Sequence, residues 1–307
     1  MVEDLFDLDE EGQLGAVALD CQPVEEGRVA EQPGAAVDPQ GVAAAGDQVE
    51  QAHLGVAQDA IPAGPILDSP ERPESARRGG GRVADVIREA HVNGIKLHYR
   101  EEGDPASPPL LLIHGRTADH NDWNGITQHF AAHHHVFAPD LRGHGGSDRP
   151  GEYPLPEMAE DIVALLDHLG IERATLVGHS LGGAVSYHLA MNHPERVERL
   201  VLEDPAPPSP LEGRAPLVED GSTGFDWRMM HDTERQLLNP DPAWLDGLGK
   251  ITAPTLVIGG GELSPFDSAA VAARIPGAEY VTIEVGHLVH VNARRAFLDA
   301  VDTFLSR

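Results

Sequence analysis

Hydrophobic residues are spread unevenly along the 307-residue chain and divide it into two parts. From Val83 onward, short apolar runs alternate with segments in which apolar residues recur every three or four positions, the pattern of strands and amphipathic helices. Residues 1–82 lack this periodicity and are rich in Ala, Gly, Pro, Gln and acidic residues. The pattern predicts a folded domain over 83–307 after a disordered, acidic, low-complexity tail. The abrupt change suggests a further hypothesis, that translation begins near Val83 or Val86 and the tail is a start-site artefact.

The elements within 83–307 follow one another in an order typical of an α/β domain. Asn93-Gly94 suits a two-residue turn and predicts a β-hairpin. Pro156 and Gly170 mark the first turn and the end of one helix. PLLLIHG, residues 109–115, predicts a short apolar strand that ends in His-Gly, and HVFAPDLRGHGGSD, residues 135–148, predicts a strand followed by a glycine-rich loop. The remaining runs predict strands at 174–178, 199–204, 254–260 and 279–285, and helices at 119–131, 181–193, 267–274 and from 293. Because strands separated by helices need crossover connections, we expect a mostly parallel sheet.

The charge and composition of the chain limit the kinds of partner and the cellular location that we expect for the protein. A formal net charge of −28 argues against nucleic acid and anionic membranes, both of which would repel the chain, and favours a small neutral substrate. Cys21 is the only cysteine, so an intrachain disulfide is excluded. The acidic start does not resemble a signal peptide, and no apolar run approaches the length of a membrane span. We therefore expect a cytoplasmic protein; the oligomeric state is left open.

The stretch ATLVGHSLGG, residues 174–183, carries the main chemical signal. A serine that turns abruptly from a strand into a helix has a strained backbone, and its neighbours two positions away must be very small. Gly178 and Gly182 meet that requirement around Ser180. The helix that begins at Leu181 would direct its free N–H groups towards negative charge developing beside the serine.

At this point the chain resembles the α/β-hydrolase fold family, in particular its small esterases, lipases and cofactor-free haloperoxidases. The resemblance is carried by HGRTADHNDW, DLRGHGGSDRP, GHSLGG and VGHLVH, in that order along 83–307. It implies an α/β-hydrolase fold with a mostly parallel eight-stranded sheet flanked by helices. It also implies a short cap inserted after strand 6, over 205–250, and no metal or organic cofactor.

The resemblance further implies the roles of individual residues. Ser180 would be the nucleophile and His287 its base, with His290 as a rival three residues later. The main-chain N–H groups of Arg116 and Leu181 would form the oxyanion hole.

The acid of the expected triad is where the sequence departs from the family pattern. Ser264 stands where the family usually has an aspartate after strand 7. Some family members carry the acid at the end of strand 6 instead, where this chain has Asp204. We favour Asp204, with Glu262 as the next candidate and Asp267 after it, and expect Glu203 to face the opposite side of the strand.

Several residues have a structural interpretation beside the functional one. Hydrogen bonds of Asp140, Arg142 and Ser147 would fix their loop, and Trp123 would serve helix packing rather than contact the substrate. The histidines at 133–135 are consecutive on a strand and point to opposite faces, so they are not expected to gather around one metal ion. Substrate contacts are expected from Gly115, His179, Phe225, Trp227, Met229 and Met230.

These features together predict a serine hydrolase, in the first place a carboxylic ester hydrolase working through an acyl-enzyme on Ser180. The same fold and triad would serve amide, thioester or carbon–carbon bond hydrolysis, or cofactor-free perhydrolase and haloperoxidase chemistry. Because Ser264 replaces the usual acid, a protein that binds a small ligand without turning it over remains a second class of function.

Overall fold

The computed structural model describes residues 83–211 and 216–307. The predicted tail, and with it the start-site hypothesis, lies outside the described residues. Within these two ranges, eight strands form one sheet: β1 (Val83–Val92), β2 (Ile95–Gly103), β3 (Pro109–Ile113), β4 (His135–Pro139), β5 (Ala174–His179), β6 (Val197–Glu203), β7 (Thr255–Gly259) and β8 (Glu279–Thr282). Their spatial order is β1-β2-β4-β3-β5-β6-β7-β8.

The sheet is mostly parallel, as predicted. The strand β2 pairs antiparallel with both β1 and β4, and all the other neighbours are parallel. The β1–β2 turn contains Asn93 and Gly94, with φ of +49° and +77°, which is the backbone that a two-residue hairpin turn requires. The strand β8 ends at Thr282, three residues earlier than the pattern predicted.

In the described part of the chain, eight α-helices connect or flank these strands: α1 (Thr127–Phe130), α2 (Leu155–His168), α3 (Leu181–Asn192), α4 (Trp227–Leu238), α5 (Pro242–Gly247), α6 (Ser268–Ala272), α7 (Val289–Asn292) and α8 (Arg294–Leu305). Short 3-10 helices lie at His120–Trp123, Pro194–Arg196, Leu248–Lys250 and Gly261–Leu263. None of the helices in the described ranges is long and apolar enough to cross a bilayer.

One helix prediction is wrong. Instead of a continuous helix over 119–131, a 3-10 helix ends at Trp123 and α1 begins at Thr127. Gly125 lies between them with φ of +81°, a left-handed conformation that a right-handed helix cannot include. The apolar residues Trp123, Ile126 and Phe130 are three and four positions apart across this break, which is helical spacing, so the pattern did not reveal it.

The hydrophobic core has two halves, one on each face of the sheet. Alternate residues of β3 enter different halves: Leu111 and Ile113 pack in one, Leu110 and Leu112 in the other. Helices α2, α3, α4 and α6 contribute to the first half, and α1 and α8 to the second. The central strands are therefore buried on both faces, as crossover helices require.

The segment 205–250 contains α4 and α5, and residues 212–215 within it are not described. In α4, Met229 and Leu237 are buried in the same core half as α2 and α3. That this segment acts as a cap over a site stays a prediction. The carboxyl ends of β5, β6 and β7 meet at one edge of the sheet, and the candidate site lies there.

Candidate active site

Ser180 lies between the last residue of β5 and the first residue of α3, at the sharp turn that the sequence predicted. Its φ of +53° and ψ of −112° are strained for a residue with a side chain. A Cβ at Gly178 would overlap the carbonyl oxygen of Gly182, and a Cβ at Gly182 would overlap that of Ile113. The two glycines are therefore a steric requirement of this turn.

His287 reaches Ser180 from the loop between β8 and α7. Its Nε2 lies 2.9 Å from Ser180 Oγ, and its Nδ1 lies 2.6 Å from Asp204 Oδ2. Burial lowers the pKa of His287 and the nearby His179 lowers it further, while Asp204 acts in the opposite direction; the net shift is downward. A neutral His287 with its proton on Nδ1 offers Nε2 as an acceptor for the serine proton.

Asp204 follows the last residue of β6, has φ of +40°, and is completely buried. Besides His287, the hydroxyls of Ser264 and Ser268 donate to it at 2.5 and 2.7 Å, and the main-chain N–H of Gly260 donates at 3.2 Å. Burial alone would raise the pKa of Asp204, but the hydrogen bonds from His287, Ser264 and Ser268 bring it below its ordinary value. The carboxylate is therefore ionised at neutral pH.

The structure brings Asp204, and neither of its two rivals, to His287. Glu262 is exposed, and its main-chain N–H binds the Glu284 carboxylate at 3.2 Å. Asp267 caps α6 by accepting a hydrogen bond from the N–H of Ala270.

Sequence reasoning missed what Ser264 and Ser268 do. In the sequence, Ser264 is only a departure from the family pattern. In the structure, its hydroxyl donates to the Asp204 carboxylate, which takes the place of the usual acid. Ser268 gave no signal beyond its position at the first turn of a predicted helix. A polar residue where the family has its acid, with an aspartate after the preceding strand, was the clue available.

The two expected oxyanion donors lie on different segments: Arg116 is in the loop that follows β3, and Leu181 is the first residue of α3. Within the ranges that the structure describes, the main-chain N–H groups of Arg116 and Leu181 have no hydrogen-bond acceptor. The Arg116 side chain donates to Glu234 of α4 at 2.5 Å, and its carbonyl oxygen lies 3.1 Å from His144 Nε2. A Cβ at Gly115 would overlap the His179 ring. The absence of a side chain at Gly115 therefore allows this loop to lie close to His179.

His290, the rival base, is directed away from Ser180. Its Nδ1 lies 2.8 Å from Glu203 Oε2, and its Nε2 lies 3.4 Å from Asp122 Oδ1. His179 Nδ1 lies 3.6 Å from the other oxygen of Asp122. We call Glu203, His290, Asp122 and His179 the histidine–carboxylate cluster; sequence reasoning did not anticipate it.

The predicted substrate-contact residues have mixed surroundings. His179 is only 3% exposed and binds protein groups behind His287, so its position favours a supporting role over the predicted substrate contact. Phe225, Met229 and Met230 are buried in the core half that contains α2 and α3, with Trp227 packed against it. Lining of a substrate pocket by these four residues stays a prediction.

The loop and interior residues lie as their structural interpretation predicted. Ser147 donates to the carbonyl oxygen of Asp140 at 2.6 Å, Arg142 pairs with Asp161, and Trp123 is completely buried. Candidate metal ligands also occur here, because ligand atoms of Asp119, His120 and Asp140 lie within 4.8 Å of one another. Asp140 already accepts hydrogen bonds from the main-chain N–H of His120 in the 3-10 helix and from that of Gly146 in the loop, so these residues form a structural brace.

A sequence profile described as the alpha/beta hydrolase fold matches residues 108–245. A solved hydrolase structure from Pseudomonas aeruginosa is similar, with a TM-score of 0.63 and 29% identity over 72% of this chain and 98% of that one. The sn-1-specific diacylglycerol lipase of Mus musculus is 26% identical over 76% of this chain and 90% of its own length.

Other curated relatives match over a shorter stretch. Epoxide hydrolase A of Mycobacterium tuberculosis is 38% identical over 130 residues, which are 41% of this chain and 40% of the relative. Matches at 43% identity span only 32% of the length of uncharacterised mycobacterial proteins. The profile match, the sheet order and the similarity to a solved hydrolase agree: the chain has the fold of the α/β-hydrolase family.

Proposed function

We propose that the protein is a serine hydrolase that cleaves a carboxylic ester of a small, neutral substrate through an acyl-enzyme on Ser180. The observation that carries the proposal is the continuous series of contacts from Ser180 Oγ through His287 to Asp204, at 2.9 and 2.6 Å. A serine hydroxyl becomes a nucleophile when a neutral imidazole accepts its proton and a carboxylate orients that imidazole.

The first half of the reaction follows from this geometry. Ser180 Oγ attacks the ester carbonyl carbon while His287 Nε2 takes the hydroxyl proton. The carbonyl oxygen becomes an oxyanion, stabilised by the main-chain N–H groups of Arg116 and Leu181, which have no acceptor among the described residues. When the tetrahedral intermediate collapses, the carbon–oxygen ester bond breaks, and the alcohol leaves with the proton from His287.

The second half uses the same groups with water. His287 takes a proton from a water molecule, whose oxygen attacks the acyl carbon and displaces Ser180 Oγ. His287 returns the proton to the serine, and the carboxylic acid is released. Asp204 remains ionised throughout; it holds the His287 proton on Nδ1 and stabilises the imidazolium each time it forms.

Similarity to an epoxide hydrolase does not lead us to propose that activity. In this fold, epoxide opening and dehalogenation use a carboxylate nucleophile, whereas the residue at the turn here is Ser180. Esters are also favoured by the relationship to a diacylglycerol lipase, and the strongly negative chain suits an uncharged substrate. Amide, thioester and carbon–carbon bond hydrolysis, and perhydrolysis, would use the same groups. A series of p-nitrophenyl esters with matched amides and thioesters distinguishes ester cleavage from amide and thioester cleavage.

Labelling by a fluorophosphonate tests the proposal. Intact mass and peptide mapping should place one probe on Ser180 of the wild-type protein, none on Ser180→Ala, and far less on His287→Ala. A series of p-nitrophenyl esters of increasing chain length, beside matched amides and thioesters, then identifies the bond cleaved. Folded wild-type protein that is neither labelled nor active would contradict the proposal and support the alternative of a ligand-binding protein.

A further inference from the structure

The residue before the candidate nucleophile faces the candidate base. His179 is the last residue of β5, and its ring lies inside the protein with 3% of the residue exposed. Its Nε2 lies 3.0 Å from the main-chain carbonyl oxygen of His287, and the centroids of the two rings are 4.8 Å apart. His179 therefore contacts both the backbone and the ring of the residue that approaches Ser180.

The other members of the histidine–carboxylate cluster fix the His179 ring from behind. Asp122, from the 3-10 helix before α1, lies between the two histidines, 3.6 Å from His179 Nδ1 and 3.4 Å from His290 Nε2. The completely buried carboxylate of Glu203 accepts from both the main-chain N–H and the ring of His290. The cluster thus joins four separate elements directly behind the candidate site.

The contacts favour a charge-balanced cluster. The facing atoms of Asp122, His179 and His290 are buried and lie too far apart for short hydrogen bonds in the part of the chain described, so neutral groups there would be poorly satisfied. If both histidines are protonated, the two carboxylates and the two imidazolium rings of the cluster attract one another, and the cluster carries no net charge.

We propose that His179 is a positioning residue for His287, donating from Nε2 to the His287 carbonyl oxygen and holding that ring at Ser180, with its own ring fixed by Asp122, His290 and Glu203. The proposal rests on the proposed function, because it assigns a purpose to His287. In this role, His179 contacts neither the substrate nor a reacting atom. It acts through the loop that carries His287.

The charge of His179 has a second consequence. Although burial opposes it, Glu203 and Asp122 raise the pKa of His179 above its ordinary value. The groups that face His287 are then Asp204, which favours a proton on His287, and His179, which opposes it; Glu203 adds a weaker favourable effect. Because like charges repel, a cationic His179 keeps the pKa of His287 low and the base free to accept a proton at neutral pH.

Two substitutions separate the hydrogen bond from the charge. In His179→Gln, the amide nitrogen takes the place of Nε2 and still donates to the His287 carbonyl oxygen, but the charge is lost. In His179→Asn, the amide reaches only as far as Nδ1, so both the contact to His287 and the charge are lost. Thermal unfolding of both variants, compared with the wild type, checks that each is folded.

The measurements are kcat and KM over pH 4.5–9 with a p-nitrophenyl ester, and the pKa of His287 followed by NMR. We expect the pKa of His287 to rise in both variants, which moves the acidic limb of kcat/KM to higher pH. We expect kcat at the plateau to fall at least about tenfold in His179→Asn with KM nearly unchanged, because a displaced base is costly, and to fall far less in His179→Gln.

Two results would overturn the inference. An unchanged pKa of His287 in both folded variants would refute the effect of charge, and equal kcat in the two variants would refute the role of the hydrogen bond. The NMR titration does not depend on turnover. If wild-type protein is not labelled at Ser180, the proposed function fails by itself, and the titration still decides whether His179 controls His287.

Discussion

Replacing Asp204 by Asn tests the most specific feature of the site. In the wild type, Oδ2 of Asp204 accepts from His287 Nδ1 and from Ser264, while Oδ1 accepts from Ser268 and from the main-chain N–H of Gly260. An Asn side chain has one acceptor oxygen. If that oxygen keeps the two bonds at Oδ1, the NH₂ group faces His287 Nδ1 and donates to it, which moves the His287 proton to Nε2.

The size of the effect follows from that tautomer. With its proton on Nε2, His287 cannot accept the proton of Ser180, and the carboxylate that stabilises the imidazolium is gone. We expect kcat to fall about 10³–10⁴-fold, which is about 4–5.5 kcal/mol of transition-state stabilisation. KM should change little, because Asp204 is completely buried behind the ring of His287.

The assay is the rate of fluorophosphonate labelling at Ser180 together with kcat for a p-nitrophenyl ester. Glu262→Gln is the matched control, since it neutralises the exposed rival carboxylate, and we expect it to retain nearly full activity. Folded Asp204→Asn protein with more than about a tenth of the wild-type kcat would show that His287 does not depend on this carboxylate.

Three further predictions follow from the same contacts. Ser264→Ala removes the hydroxyl that donates to Asp204 at 2.5 Å, so we expect kcat to fall severalfold and the pKa of Asp204 to rise. The raised pKa would be seen as weaker activity at low pH, and unchanged kcat at all pH values would contradict this prediction. The wild-type kcat/KM should rise with pH through an apparent pKa below 6.5, since the pKa of His287 is lowered, and should be level above pH 7. Glu203 and Asp122 raise the pKa of His290 to about 10. Protonation of His290 therefore stabilises the folded state fully below about pH 6.5, and this stabilisation is lost as pH rises towards 10. Urea unfolding at several pH values should show that loss in the wild type and a flatter dependence in His290→Gln.

The local sequence pattern was sufficient to predict the class of fold. Alternating strands and helices predicted the mostly parallel sheet, which the structure confirms, and the glycines around Ser180 predicted the sharp turn at which it lies. These features depend on neighbours within a few positions, where steric limits and hydrophobic periodicity act directly. The break at Gly125 was missed because periodicity does not register a single left-handed residue.

The surroundings of His287 were decided by tertiary structure alone. Asp204 and Glu262 both follow strands that end at the same edge of the sheet, so the sequence left them as alternatives; the path of each loop brings only Asp204 to the ring. The histidine–carboxylate cluster draws on residues up to 168 positions apart, from Asp122 to His290, as the numbering shows. Hydrogen bonds and ion pairs act over a few ångströms in space, so residues remote in sequence acquire their partners, their charge state and their chemistry only once the chain has folded.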